Sequence, residues 1–429
     1  MKATNSRLWS CAVYLLFGHL PTMSFGQEVD YFIVPEGSIA QAETVLLAEG
    51  NQSTSRADQV FFDARIALLR ENLAEAERLF REVLSLEPAH SAARAYLGLT
   101  LAEMGRNSAA IYNYRFALAD DLPSDVSRPI RDYILENDRG LGFNTFAYFH
   151  INRQTNPFLE SNLTEIRVGD FIFALADPEG GTEETVLEFG GNLGYRFQVS
   201  ETGHFLFRLR ADFDHYTNSN FTSWSVTPSL AYEFRVDQDK ELALGMSTDF
   251  EFLESELVER EIGPVLRLRW EHDERFRSSY FLEVLDLHSP GRQIASGVSY
   301  EIGAAFEKVL TPRWAVNGAA SVYRAELQRK RLGYDEYRLV LGTRTVLPNG
   351  IRVGGAAYLE DRVYHADSRI FGVTRRDQTA TISVTVGSSE VELAGFSPQV
   401  RVEYEERHSN IALYESTNSS VALEVTRSF

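Results

Sequence analysis

Apolar and polar positions alternate along most of this chain. Phe205, Phe207, Leu209, Ala211 and Phe213 share one parity, and Arg208, Arg210, Asp212 and Asp214 share the other. Successive side chains of a strand point to opposite faces, so this pattern is one apolar face backed by one charged face. The pattern recurs. Trp224, Val226, Leu230, Tyr232 and Phe234 oppose Ser225, Thr227, Ser229, Glu233 and Arg235. Leu242, Leu244, Met246, Phe250 and Phe252 oppose Glu241, Ser247, Asp249 and Glu251. Ile262, Leu266, Leu268 and Trp270 oppose Arg267, Arg269 and Glu271, and Val400, Val402 and Tyr404 oppose Arg401, Glu403 and Glu405.

The spacing predicts strands at 142–153, 185–199, 203–216, 222–236, 240–253, 259–272, 277–289, 293–309, 313–328, 333–347, 351–366, 376–388, 391–408 and 418–429. They exceed the ~5–6 residues usual in globular sheets. Aromatic residues gather near their ends, as in interfacial girdles. Long strands with one apolar and one charged face predict an antiparallel transmembrane β-barrel of about 14 strands, apolar to lipid and charged within. Glu165 to Ala176 also alternates. Counting it would leave an odd number of strands, so it is assigned to a hairpin or plug between the first two. Pro348-Asn349-Gly350 reads as a tight turn. That turn and Ser200–Gly203 fall on the side of the barrel that faces the periplasm.

The segment before residue 139 has helical periodicity. Residues 57–90 and 91–124 align at a period of 34, the spacing of tetratricopeptide (TPR) repeats. Ala64, Ala76, Phe80 and Pro88 take the small, small, aromatic and proline positions of the first copy; Leu97, Gly98, Ala110, Tyr114 and Ala117 take their places in the second. Small residues are needed where two helices cross closely, and the aromatic fills the gap to the next hairpin. Asp63 stands where leucine is usual, and Pro123 comes one place late. Ile39 to Leu47 and Ser124 to Asn137 predict flanking helices that cap the stack, with Ser124 as N-cap. The expected fold class is therefore α+β multidomain, an N-terminal TPR-like solenoid followed by the barrel.

Lys2 and Arg7, the apolar run Leu8 to Leu20 and Ser24-Phe25-Gly26 read as a signal peptide. The domain reading is 1–26 signal peptide, 27–138 periplasmic helical domain and 139–429 outer-membrane barrel. The one cysteine, Cys11, lies in the leader, so the exported chain has no disulfide or thiolate chemistry. Two of the 42 basic and none of the 61 acidic residues precede Gln27, which leaves the exported chain at −21. Such an acidic surface argues against nucleic acid as a partner. The last strand puts Val425 on the apolar parity and ends on Phe429, residues read as a C-terminal assembly signal.

A repeat stack joined to such a barrel resembles the surface lipoprotein assembly modulators (the Slam family). The resemblance rests on Ala117-Leu118-Ala119-Asp120-Asp121-Leu122-Pro123 with Val126, Arg128, Ile130 and Ile134 at the junction. Phe143 to Asn156, Val168-Gly169-Asp170-Phe171 and Gly194-Tyr195-Arg196-Phe197 carry it into the barrel. Asn152-Arg153-Gln154-Thr155-Asn156 stands where the family often has an Asp-Ser-Asn stretch. The resemblance implies an outer-membrane translocon that receives a cognate lipoprotein or secreted protein on its periplasmic repeats and delivers it to the cell surface. Its other partners would be outer-membrane lipids and the barrel assembly machinery.

The lumen-lining path would then include Arg208, Arg210, Asp212, Asp214, Glu251, Arg267, Arg269, Arg401 and Glu403. A wet wall of both signs suits the passage of an unfolded chain; a closed salt-bridge network is the competing reading. Gly190-Gly191-Asn192-Leu193-Gly194 is followed by no Lys-Ser or Lys-Thr pair, so it is not a phosphate loop. No cofactor, metal site or enzymatic role is expected; His215, His288 and Ser289 are the weak exceptions. The alternative function is an outer-membrane diffusion or polysaccharide-export channel with a TPR scaffold.

Overall fold

The computed structural model describes residues 55–428, apart from 121, 138–141, 162, 164, 169–170, 175–182, 201, 238, 348–349 and 389–396. The leader, the Ile39–Leu47 helix and Phe429 lie outside the described residues.

Among the described residues, five helices come first: α1 (Arg56–Leu69), α2 (Leu73–Leu86), α3 (Ser91–Glu103), α4 (Asn107–Ala117) and α5 (Ser124–Asn137). Ser55 caps α1, accepting from the backbone N–H of Ala57 at 3.2 Å. The internal period is visible in the backbone. Glu71 (φ 57) and Gly105 (φ 72) sit in the left-handed region after α1 and α3. Each precedes the same six-to-one bond, Asn72 N to Ala67 O at 2.9 Å and Arg106 N to Leu101 O at 2.8 Å. Glycine makes this turn without strain; Glu71 makes it with a Cβ.

α1 packs on α2, α2 on α3, α3 on α4 and α4 on α5. Ala64, Ala76, Phe80, Leu97, Ala110 and Tyr114 are all in the shared core. At Gly98 an added Cβ would meet the Tyr114 ring at 2.6 Å, so this crossing needs a residue without one. Burial in this core raises the pKa of Tyr114 and Tyr133.

The remaining chain forms β1 (Gly142–Gln154), a short hairpin of β2 (Glu165–Val168) and β3 (Phe171–Ala174), then β4 (Glu184–Gln198), β5 (Gly203–Tyr216) and β6 (Phe221–Asp237). β7 (Lys240–Leu253), β8 (Glu256–Glu271), β9 (Phe276–His288), β10 (Gly297–Thr311) and β11 (Trp314–Leu327) follow. β12 (Tyr334–Val346), β13 (Ile351–Tyr364), β14 (Arg376–Ser388), β15 (Ser397–Ser409) and β16 (Ser416–Ser428) complete it. Among the described residues, fourteen strands close in the order β1-β16-β15 down to β5-β4. All neighbours are antiparallel, and β1 closes on β16 with Phe149 opposite Val425.

Among the described residues, β2 and β3 pair only with each other, so these two strands are a hairpin that is not part of the wall. β10, the eighth strand of the wall, starts later than its alternation suggests, because Gln293–Ala295 coils into a 3₁₀ turn before it. The turn at 348–350 falls largely outside the described residues; Gly350, with φ 66, leads into β13.

The expected parity holds around the ring. Outward positions carry exposed apolar residues such as Leu244, Leu341, Ile382, Val402 and Leu423. At the end near the helices, rings run side by side across β1 and β4–β6: Phe143 to Tyr195 at 4.6 Å, Phe197 to Phe205 at 5.5 Å and Phe205 to Tyr232 at 5.1 Å. At the opposite end Trp224 stacks on Phe252 at 3.8 Å. Two aromatic belts with an aliphatic band between them match a bilayer's interfaces and core. Leu341, mid-strand on β12 and 52% exposed, gives a direct check. Leu341→Arg should cost about 2–4 kcal/mol in lipid-refolding titrations, the midplane value for arginine. An unchanged transition would mean that this face is not in hydrocarbon.

Candidate functional site

The inward parity builds the site. On many strands an arginine meets a carboxylate two residues away on its own strand. Arg210 pairs with Asp212 at 2.6 Å, Arg269 with Glu271 at 2.9 Å, Arg362 with Glu360 at 3.1 Å and Arg401 with Glu403 at 3.1 Å. Arg338 and Glu336 do the same. Residues two apart on a strand share a face, so the alternation itself sets these contacts.

Longer links cross the wall. Glu336 is fully buried and bonds both Arg338 and Arg362. Arg338 also reaches Glu301 at 3.2 Å, and Arg362 lies over the Tyr334 ring at 4.6 Å. Arg196 on β4 reaches Glu233 on β6 at 2.8 Å. Arg267 reaches Glu283 at 3.2 Å. This part of the lumen is packed by ion pairs.

Beside it runs a cavity of about 660 Å³. Of the nine charged residues singled out by sequence, Arg210, Asp212, Asp214, Glu251, Arg401 and Glu403 line it. Tyr148 donates to Asp212 at 2.5 Å, and Arg401 also meets Glu424 at 2.6 Å. Arg208, Arg267 and Arg269 face inward but outside this cavity. Arg208 is a charge neighbour of Arg267, Arg196 and Glu233. His215 faces outward and bonds Thr222 at 3.2 Å, while Ser289 donates to Glu259 at 3.4 Å. Among the described residues no group of three or more His, Cys, Asp or Glu is placed to hold a metal ion.

Both ends of the cavity are lined by residues from outside the wall. Pro157 and Leu159, from the loop after β1, line one end. Asn156 fixes that loop: its Nδ2 donates to Glu160 O at 2.9 Å and to Thr417 O at 3.1 Å. Arg407 donates to Leu159 O at 2.9 Å. Asn152, in the same divergent stretch, donates to Glu188 at 2.9 Å, as that carboxylate also meets His150 at 3.2 Å.

Tyr112 and Phe116 of α4 line the other end. Arg344 lies over both rings, at 5.5 and 5.8 Å, and bonds Glu307. Phe116 and Ala119 pack with Val309 and Ala315 of the barrel. Arg115 meets Glu271 at 2.9 Å, Arg131 meets Glu274 at 2.5 Å, and Arg275 donates to Leu118 O at 3.0 Å. Arg94 lies over Phe116 at 5.3 Å from within the helices, where burial lowers its pKa. None of Tyr112, Phe116, Arg344 and Glu307 was singled out by sequence reading. The available signal was the inward parity of Arg344 and Glu307; the two aromatics look like ordinary helix residues.

The model for the family described as surface lipoprotein assembly modifier matches residues 177–429. The chain belongs to the surface lipoprotein assembly modifier family. The match takes in β4 through β16, and β1 and the helices precede it. A closed barrel with an apolar belt and a charged interior is the form that crosses an outer membrane, and this family member is an outer-membrane barrel. No curated protein matches the chain.

Among solved structures, the outer membrane channel DcaP of Acinetobacter baumannii is similar at 12% identity over 67% of this chain and 97% of that one, with a TM-score of 0.39. A Pseudomonas aeruginosa FadL homologue is similar at 8% identity over 72% and 93%, with a TM-score of 0.34. Pseudomonas aeruginosa OccK5 is similar at 10% identity over 67% and 98%, with a TM-score of 0.33.

Proposed function

We propose that this protein is an outer-membrane translocon, which takes a cognate lipoprotein or secreted protein from the periplasm and delivers it to the cell surface. The family match across the barrel carries this reading. The helices Arg56–Asn137 are a TPR-like docking stack on the periplasmic side, and their concave face receives the cargo. Their seat on one barrel mouth supports this, because cargo held there is already aligned with the lumen. The lumen wall offers many weak contacts of both signs. The protein performs no chemistry and holds no cofactor. A signal peptide exports it, and the barrel assembly machinery reads β16, where Val425 faces lipid.

The test is protease shaving of intact cells with and without the gene, followed by proteomics. One exported protein or lipoprotein should vanish from the surface and accumulate in the periplasm. An unchanged surface proteome would overturn the translocon and leave the diffusion or polysaccharide-export channel.

A further inference from the structure

Tyr112 sits at the barrel mouth yet is 41% exposed. Its ring and that of Phe116, 4.9 Å apart, line a chamber whose wall mixes charged residues such as Arg210, Asp212 and Arg401 with tyrosines and small apolar residues. Phe116 is buried against the barrel at 2% exposure, while Tyr112 stays open to the chamber. The pair stands where the helices meet the lumen.

We propose that the tip of α4 is a gate, which closes the barrel by seating Tyr112 and Phe116 in its mouth and opens when the helical segment lifts away.

Three observations support a seat that can release. Among the described residues, the buried apolar contact is small: Phe116 and Ala119 against Val309 and Ala315. The rest is polar: Arg115 to Glu271, Arg131 to Glu274 and Arg275 to a backbone carbonyl. Small polar interfaces between parts of one chain allow relative motion. The Arg131–Glu274 pair is half-exposed and holds weakly.

The seat loses the Tyr112 hydrogen bond to Arg344 when empty but keeps its ion pair. Glu307 bonds both Arg277 and Arg344, so Arg344 keeps a carboxylate partner if the rings leave. Lifting α4 therefore strands no buried charge on the barrel, and the open state carries no large electrostatic penalty. Opening at this end exposes the chamber to the helical side, while the Pro157–Leu159 loop still lines the other end. The gate holds for whatever crosses, so it can be tested without cargo.

The experiment uses the purified full chain in planar lipid bilayers, with potassium chloride as the permeant salt. Tyr112→Ala with Phe116→Ala should raise the mean current about tenfold by shifting the closed–open balance. Heat-modifiable migration confirms that the barrel is intact. In parallel, Arg131→Cys and Glu274→Cys are bridged by a short bis-maleimide. The bridged protein should stay closed at voltages that open the unbridged one. Wild-type current from an intact alanine variant would overturn the gate, as would equal currents before and after bridging. If the alanine variant fails to fold, the bridging result decides. Loss of surface cargo on gene deletion together with ungated currents would sink this proposal and leave the translocon reading standing.

Discussion

Glu336→Ala should destabilise the barrel by about 3 kcal/mol, the low end for removing one partner from a buried ion-pair network. Glu336 has no exposed surface and bonds the guanidinium groups of Arg338 and Arg362. Its removal leaves two cations packed in the wall with one carboxylate fewer. The cost stays at the low end because Arg338 keeps Glu301 and Arg362 keeps Glu360. Glu336→Gln retains an acceptor and should lose less. Denaturant titration of refolded barrels in vesicles measures both. If the alanine variant unfolds within about 0.5 kcal/mol of wild type, the range of an ordinary surface change, water must already solvate this sector and the network is not structural.

Phe80→Ala should remove about 3–5 kcal/mol from the helical segment, the usual cost of emptying a large aromatic site in a core. Phe80 is fully buried, stacked on Tyr96 at 5.6 Å and edge-on to Phe61 at 6.0 Å. Among the described residues the barrel adds nothing to that core; it meets the helices at the small seat around the end of α4 and at the Arg131–Glu274 pair. Limited proteolysis should therefore strip the helices from the variant and leave a heat-modifiable barrel. A barrel that loses its resistance in step with the helices would show that the two parts fold as one unit.

The wall was legible because a strand has a period of two. Parity assigns Arg210 and Asp212 inward and Leu209 and Ala211 outward with no knowledge of the neighbours. Parity carries no information about height in the lumen or about which charges meet across strands. Arg344 on β12 reaches Glu307 on β10 by passing β11, where Ala315 stands opposite both Arg344 and Val309. Two long side chains on the inward face span the small Ala315 between them. The small inward residues of β11, Ala315, Ala319 and Ala325, were the trace of it in the sequence. In the helical segment the small residues Ala64, Ala76 and Ala110, read as sites of close helix crossing, are buried in the core. Tyr112 and Phe116 were not legible, because their role depends on what the helix meets and not on its own period. The start of β10 was misplaced because alternation continues through Gln293–Ala295, although the backbone there coils.

The arginines paired two residues along their own strand bear on biogenesis. Arg210–Asp212, Arg269–Glu271, Arg362–Glu360 and Arg401–Glu403 each cancel charge within a single strand. A hairpin that approaches the bilayer before its neighbours arrive already carries its counterions. Insertion can then proceed one strand at a time without dragging a naked guanidinium into hydrocarbon, where it would cost ~2–4 kcal/mol or more. Shuffling one partner of each pair onto an adjacent strand would preserve the finished barrel's total charge. It would slow membrane insertion all the same.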